Sequence, residues 1–225
     1  MPDRKTFVIV GGGLAGARAA EELRTAGFDG RVVLVAGEPV LPYERPPLSK
    51  SYLAGESPAE DARVHDEGFY AEHAIELRTS MRATALATGA RTVSLADGSQ
   101  LGYDRLLIAT GAVPRRPPIG DGRVLRSFAD ADALKAALRP GAHLVIVGAG
   151  WIGCEVAASA RGLGAEVTLI EQGSAPLERV LGPRLGAFFA DLHRIGAQIQ
   201  FEIDLGQVKQ AESGVVRVAV GSCRV

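Results

Sequence analysis

One pattern occurs twice in this chain, and that repetition constrains the fold more than any other feature. Phe7-Val8-Ile9-Val10 runs into Gly11-Gly12-Gly13-Leu14-Ala15-Gly16, and His143 to Val147 runs into Gly148-Ala149-Gly150-Trp151-Ile152-Gly153. Each glycine-rich turn opens a segment of helical composition, Leu14 to Leu23 in the first copy and Trp151 to Leu163 in the second. A second apolar run follows, Arg31 to Val35 and Glu166 to Ile170, and each copy closes on an acid, Glu38 or Glu171. Continuous apolar runs flanking a helix are the mark of parallel strands buried on both faces. The repeat, Val8 to Glu38 and Val145 to Glu171, is too widely spaced for a solenoid. It reads as duplication of a strand–turn–helix–strand unit.

Both turns fit GxGxxG. Gly11 and Gly148 permit the sharp exit from the strand, and Gly13 and Gly150 let the backbone approach a pyrophosphate. Gly16 and Gly153 allow close helix–strand packing. The helix behind each turn offers unpaired N–H groups and a positive dipole end to phosphates. Glu38 and Glu171 stand about 20 residues beyond the third glycine, where a carboxylate can accept hydrogen bonds from ribose hydroxyls. A single such turn also serves plain strand-to-helix corners; here the strand, the helix and the acid accompany it both times. The expectation is an α/β chain of two Rossmann-like, ββα-decorated dinucleotide-binding domains, residues 1–115 and 116–225. No Arg or Lys lies among Gln172, Gly173 and Ser174, so Glu171 would repel a 2′-phosphate and favour NADH over NADPH. Arg179 is the nearest basic residue against that reading.

Between the two copies, Leu48 to Leu53 can begin a short helix, and Asp66 to Ala74 reads as another. Ile75 to Leu95 suggests short strands, Asp97-Gly98 a hairpin turn and Tyr103 to Ala109 a further buried strand. Val113-Pro114 to Pro117-Pro118 is the candidate linker. Asp130 to Leu138 and Pro183 to Ile195 read as helices, Gln198 to Phe201 as a strand, and Gln207 to Val220 as a hairpin around Ser213-Gly214. With 47% hydrophobic and 23% charged residues and a formal net charge of −1, the composition is that of an ordinary globular protein. That charge points to neither nucleic acid nor a membrane surface. The two cysteines, Cys154 and Cys223, match no metal or CxxC spacing. Met1-Pro2-Asp3-Arg4-Lys5 leads straight into a strand, leaving no room for a signal peptide, and no apolar run is long enough to span a bilayer. A cytoplasmic protein is expected.

The segment Leu41-Pro42-Tyr43-Glu44-Arg45-Pro46-Pro47-Leu48-Ser49-Lys50 resembles the FAD-domain signature of the NADH-dependent ferredoxin reductases that serve bacterial oxygenases. Ala109-Thr110-Gly111 and Gly150-Trp151-Ile152-Gly153-Cys154-Glu155 are similar to two further motifs of that family, in the same order. The resemblance runs from Phe7 to about Val218. It implies FAD in the first unit and NADH in the second, with a hydride passing to the flavin and single electrons leaving to a small [2Fe–2S] ferredoxin. It also implies that Lys50 lies near the flavin and pairs with Glu155, that Arg45 approaches the FAD phosphates or adenosine, that Ala83 offers backbone groups to adenine, and that Thr110 and Gly111 pass close to the phosphoribityl chain. The plain alternatives are a solvated loop lysine for Lys50, a surface charge for Arg45, and for Glu155 an acid in the first turn of a helix, favoured by the dipole.

Disulfide reductases of related architecture carry a CxxxxC pair after the first unit's second strand. Here that stretch holds Pro42, Tyr43 and Glu44 and no cysteine, so a thiol relay is not expected and Cys154 reads as a small buried helix residue. Members of this family are nearly twice as long and return to the FAD domain after the nicotinamide domain. The chain is therefore expected to be a truncated product or fragment, the first domain incomplete and the second lacking its last strand. Two other functions fit the same residues: a flavoprotein with another acceptor, such as oxygen or a nitrite reductase centre, and a remnant that binds nucleotide without turnover.

Overall fold

The computed structural model describes residues 4–115, 122–194, 198–200, 215–219 and 223–224. The chain divides into two compact units, one of Met1–Glu44 and Glu60–Gly111, the other of Arg45–Ala59 and Ala112–Val225.

The first unit begins with β1 (Thr6–Val10), α1 (Leu14–Thr25) and β2 (Arg31–Val35). These carry the first copy of the repeat; β2 coincides with its apolar run, and β1 begins one residue before its own, at Thr6. The second unit contributes α2 (Ser51–Ala54), directly after a 3-10 turn at Pro46–Ser49. The first unit then continues through α3 (Phe69–Glu72), β3 (Ile75–Arg78), β4 (Ala83–Ala87), β5 (Thr92–Leu95), β6 (Gln100–Gly102) and β7 (Arg105–Ile108). Its main sheet has the order β3-β2-β1-β7, with every pair parallel. Side chains alternate across it with the period of two that a strand imposes. Val8, Val10, Val33 and Val35 pack with Val93, Leu95 and Leu101 of the antiparallel β4-β5-β6 sheet. Ile9, Val32 and Leu34 face the other way, onto Ala20 of α1 and Tyr70 of α3.

Two expectations are corrected in this unit. α3 is shorter than Asp66 to Ala74: Gly68 is its N-cap, the Asp66 carboxylate accepts from the Phe69 N–H at 3.0 Å from outside the helix, and at the other end Ala74 turns to φ +51. The strand at Tyr103 to Ala109 is not buried: β7 forms the sheet's edge, and Leu107 and Ile108 are 41% and 62% exposed. The Asp97-Gly98 turn joins β5 to β6, with Gly98 at φ +85.

The second unit continues with β8 (Val113–Pro114), α4 (Phe128–Ala137), β9 (His143–Val147), α5 (Trp151–Gly162), β10 (Glu166–Ile170), α6 (Glu178–Arg194), β11 (Gln198–Gln200), β12 (Val215–Ala219) and β13 (Cys223–Arg224). Its sheet has the order β11-β10-β9-β12, again all parallel. Ser127 and Asp130 form a reciprocal capping box at the start of α4. α6 breaks at Gly182, φ +80, and resumes at Pro183, whose missing N–H costs nothing at a helix start. Val113–Pro114, expected in a linker, pairs antiparallel with β13; residues 116–121 lie outside the described residues. So does the expected turn at Ser213-Gly214, while Val215–Ala219 pairs in parallel with β9. Among the described residues no helix is long and apolar enough to cross a membrane, and no group of His, Cys, Asp and Glu could hold a metal ion.

Candidate functional site

In the first unit, Gly11 leaves β1 at φ +128, with its N–H donating to the Val35 carbonyl at 2.8 Å. A Cβ on Gly11 would run into the carbonyl of Ala109, and one on Gly16 into the carbonyl of Gly11. Only glycine fits either place. Gly13 is different: it caps α1 in extended conformation with no side-chain hydrogen bond, and a Cβ built there would meet nothing within 4 Å. No acid lies in the first turn of α1, so the chain itself does not offset the positive end of the dipole. Leu14 and Ala15 are exposed beside it.

In the second unit the same geometry returns. Gly148 leaves β9 at φ +104 and donates to Ile170 O at 2.7 Å. A Cβ on Gly153 would strike the Gly148 carbonyl, whereas Gly150 is open within 4 Å. Trp151 is 48% exposed and packs edge-to-face on Phe189, with ring centroids 6.2 Å apart; Ile152 is half-buried.

The two acids are held differently. Glu38 accepts a 2.7 Å hydrogen bond from the buried Tyr43 hydroxyl. Glu171 accepts from the turn's Ala149 N–H at 2.7 Å through Oε2, and from the Gly173 N–H, two residues further along the chain, at 2.9 Å through Oε1. A carboxylate has about four lone-pair sites, so both bonds leave acceptor capacity for a ligand.

Also in the second unit, Lys50 Nζ lies 2.8 Å from Glu155 Oε1. The other oxygen, Oε2, accepts from Ser49 Oγ at 2.6 Å, and Ser159 Oγ donates to the Ser49 carbonyl at 2.8 Å. Glu155 and Ser159 are one turn apart on α5, so residue 49 is clasped at two points just before Lys50. α5 starts at Trp151, which places Glu155 in its second turn and removes the first-turn explanation for that acid. Arg45 donates to the Arg126 carbonyl, a backbone contact that the sequence did not suggest. Ala83 opens β4 next to a β-bulge, half-buried against the valine face of the main sheet. Thr110 and Gly111 are exposed beyond the end of β7, with Gly111 at φ +72. Cys154 is 6% exposed, and burial, followed by the nearby Glu171 and Glu155 carboxylates, pushes its thiol up to about 11. Its Sγ faces the Ala149 carbonyl at 3.6 Å. Such a thiol is protonated at neutral pH and unsuited to redox work.

Sequence reasoning missed Tyr43, Ser49 and Ser159 as individuals. The first two stand inside the quoted signature, but no periodicity marks their side chains; the third has no local signal at all.

Two parallel sheets, each closing a glycine turn onto a bare helix N-terminus, define an α/β protein of the dinucleotide-binding type. More specifically, the chain belongs to the family described as pyridine nucleotide-disulphide oxidoreductase, which matches residues 5–223. It is 44% identical over 201 residues to the biphenyl dioxygenase system ferredoxin–NAD(+) reductase component of Paraburkholderia xenovorans (strain LB400), covering 87% of this chain and 49% of that protein. It is 41% identical over 195 residues to putidaredoxin reductase CamA of Pseudomonas putida, covering 83% and 46%. The crystal structure of the covalent putidaredoxin reductase–putidaredoxin complex superposes with a TM-score of 0.89 at 35% identity, over 97% of this chain and 58% of that one. The chain spans about half the length of the curated relatives it matches.

Proposed function

We propose that this chain acts as a flavoprotein oxidoreductase that takes a hydride from NADH onto FAD and delivers single electrons to a small [2Fe–2S] ferredoxin of an oxygenase system. The observation that carries the reading is the Lys50–Glu155 pair, 2.8 Å apart, with Ser49 on the remaining carboxylate oxygen. A duplicated nucleotide fold does not require it, and the ferredoxin reductase resemblance does.

The described residues fit both nucleotides. The open space at Gly13 and Gly150 leaves room for a pyrophosphate against the backbone, and neither helix start carries an acid to repel it. In this reading Gly11, Gly13, Leu14, Ala15 and Gly16 hold the FAD phosphates and Glu38 the adenosine ribose. Arg45, Ala83, Thr110 and Gly111 complete the contacts. Gly148, Gly150, Trp151, Ile152 and Gly153 serve NADH, with Glu171 accepting from its ribose and repelling the 2′-phosphate of NADPH. When bound, FAD accepts a two-electron hydride and releases single electrons, as an iron–sulfur acceptor requires. Lys50 would place its ammonium beside the flavin, and Glu155 would hold that ammonium in position.

The test is reduction of a [2Fe–2S] ferredoxin by the FAD-reconstituted chain, with oxygen and a nitrite reductase centre as competing acceptors. The reading expects NADH-dependent reduction faster with ferredoxin than with either competitor. A chain that binds both nucleotides but accelerates no ferredoxin contradicts it.

A further inference from the structure

Glu38 is not held by its own surroundings alone. Its carboxylate accepts a hydrogen bond from Tyr43 Oη at 2.7 Å, and Tyr43 is only 2% exposed. The backbone of the same tyrosine forms a parallel bridge with Gly13, the open glycine of the first turn, and an antiparallel bridge with Arg63. Flanking bonds fix it further, from Glu44 N–H to Ala62 O at 2.7 Å and from Val64 N–H to Pro42 O at 2.9 Å. Pro39 and Pro42 stiffen the four residues that separate the acid from the phenol.

We infer that Tyr43 is a positioning residue for the first nucleotide site, setting the carboxylate of Glu38 at a fixed place relative to the Gly13 turn so that one rigid element reads the ribose diol and the pyrophosphate together. This rests on the reading of that site as the FAD site. Covalent bonds fix the span between ribose and pyrophosphate in a dinucleotide, so an acid fixed relative to the phosphate turn binds without first being ordered. The second unit reaches the same end by another route: there the acid bonds directly to the turn, through Ala149 N–H. Tyr43 supplies in the first unit the tie that backbone supplies in the second.

The experiment compares affinities of the full chain for FAD and for its analogue with a 2′-deoxyadenosine, by quenching of flavin fluorescence, in wild type, Tyr43→Phe, Glu38→Ala and the double variant. Apo-protein thermal midpoints serve as the folding control. Wild type should bind FAD about tenfold tighter than the deoxy analogue, the size of one charge-assisted contact. In Tyr43→Phe that preference should fall to about threefold or less, in Glu38→Ala it should vanish, and adding Tyr43→Phe to Glu38→Ala should change nothing further. A purely structural role for Tyr43 would weaken both ligands equally, so full retention of the 2′-hydroxyl preference in Tyr43→Phe overturns the inference and leaves the FAD site standing. A wild type that binds FAD with no such preference, or does not bind it, overturns the reading of the site itself and this inference with it.

Discussion

Lys50 Nζ and Glu155 Oε1 stand 2.8 Å apart, and the second carboxylate oxygen is taken by the Ser49 hydroxyl. The ammonium is about half exposed and the carboxylate a quarter exposed, so solvent screens the pair and its worth to folding is small. Its value lies in fixing a cation. Lys50→Met is therefore expected to slow flavin reduction by NADH by about tenfold, below the hundredfold or more typical of a buried donor. The dissociation constant for NADH should be unchanged. Rapid-mixing absorbance of the flavin band measures both.

Ser49 is 4% exposed and donates to a charged acceptor. Ser49→Ala is expected to lower stability by about 1.5–3 kcal/mol, the worth of a hydrogen bond to a charged group. Ser159→Ala removes a neutral hydrogen bond to the Ser49 carbonyl, so its cost should be nearer about 1 kcal/mol. Denaturant midpoints of the two variants give the comparison.

Gly16 and Gly153 pack against the carbonyls of Gly11 and Gly148. Alanine at either site forces its turn to shift, at a cost of about 1–3 kcal/mol. Because the two turns are assigned different nucleotides, Gly16→Ala should lose FAD while Gly153→Ala keeps FAD and loses NADH. Calorimetric titration of each variant with each nucleotide checks this. Loss of both nucleotides in both variants would mean the sites are not separable in this way.

Glu171 bonds to Ala149 N–H and Gly173 N–H, placing its charge beside the second turn. Glu171→Gln keeps the shape and removes the charge. The ratio of NADH to NADPH affinity should fall by about tenfold, read from calorimetric titration with each of the two reduced nucleotides.

Burial raises the Cys154 thiol from 9.0 to about 11 and the Tyr70 phenol from 10.0 to about 12. Both groups are neutral when protonated, so above about pH 9 the unfolded chain releases protons that the folded chain keeps. The stability they contribute is whole below pH 9.0 and is lost as pH rises toward 11 and 12. The thermal midpoint should fall through that window, and Tyr70→Phe should flatten the fall in its upper part. In the folded protein at pH 8, mass mapping after iodoacetamide treatment should leave the Cys154 peptide unmodified until denaturant is added.

Much of this fold was legible because each copy of the repeat satisfies local rules at several levels at once. β2, β9 and β10 coincide with their apolar runs residue for residue. The glycine roles follow from sterics, which the pattern states directly. Less legible was anything set by neighbours distant in sequence. Leu107 and Ile108 have the composition of a buried strand, and only the strand order places them at an edge. Nothing in the sequence around Asp66 says that it stays outside α3, with its carboxylate on the Phe69 N–H and Gly68 as the N-cap. At the candidate site, the Lys50–Glu155 pairing came from resemblance, since the partners lie far apart in sequence and no spacing rule joins them. Ser159 was invisible for the same reason: its hydroxyl reaches back to the Ser49 carbonyl, a neighbour far away in sequence. Tyr43 lay in plain view within the signature, but a tyrosine between a proline and an acid gives no hint that its hydroxyl seeks Glu38.

Electron transfer from NADH to FAD on this chain is the proposal on which the others depend. Anaerobic rapid mixing of the FAD-reconstituted protein with NADH tests it most directly. The oxidised flavin band is expected to bleach in a phase that saturates with NADH, is weaker with NADPH at equal concentration and is slowed in Lys50→Met. A protein that leaves added FAD free in solution, or holds it with the band unchanged by NADH, contradicts the account.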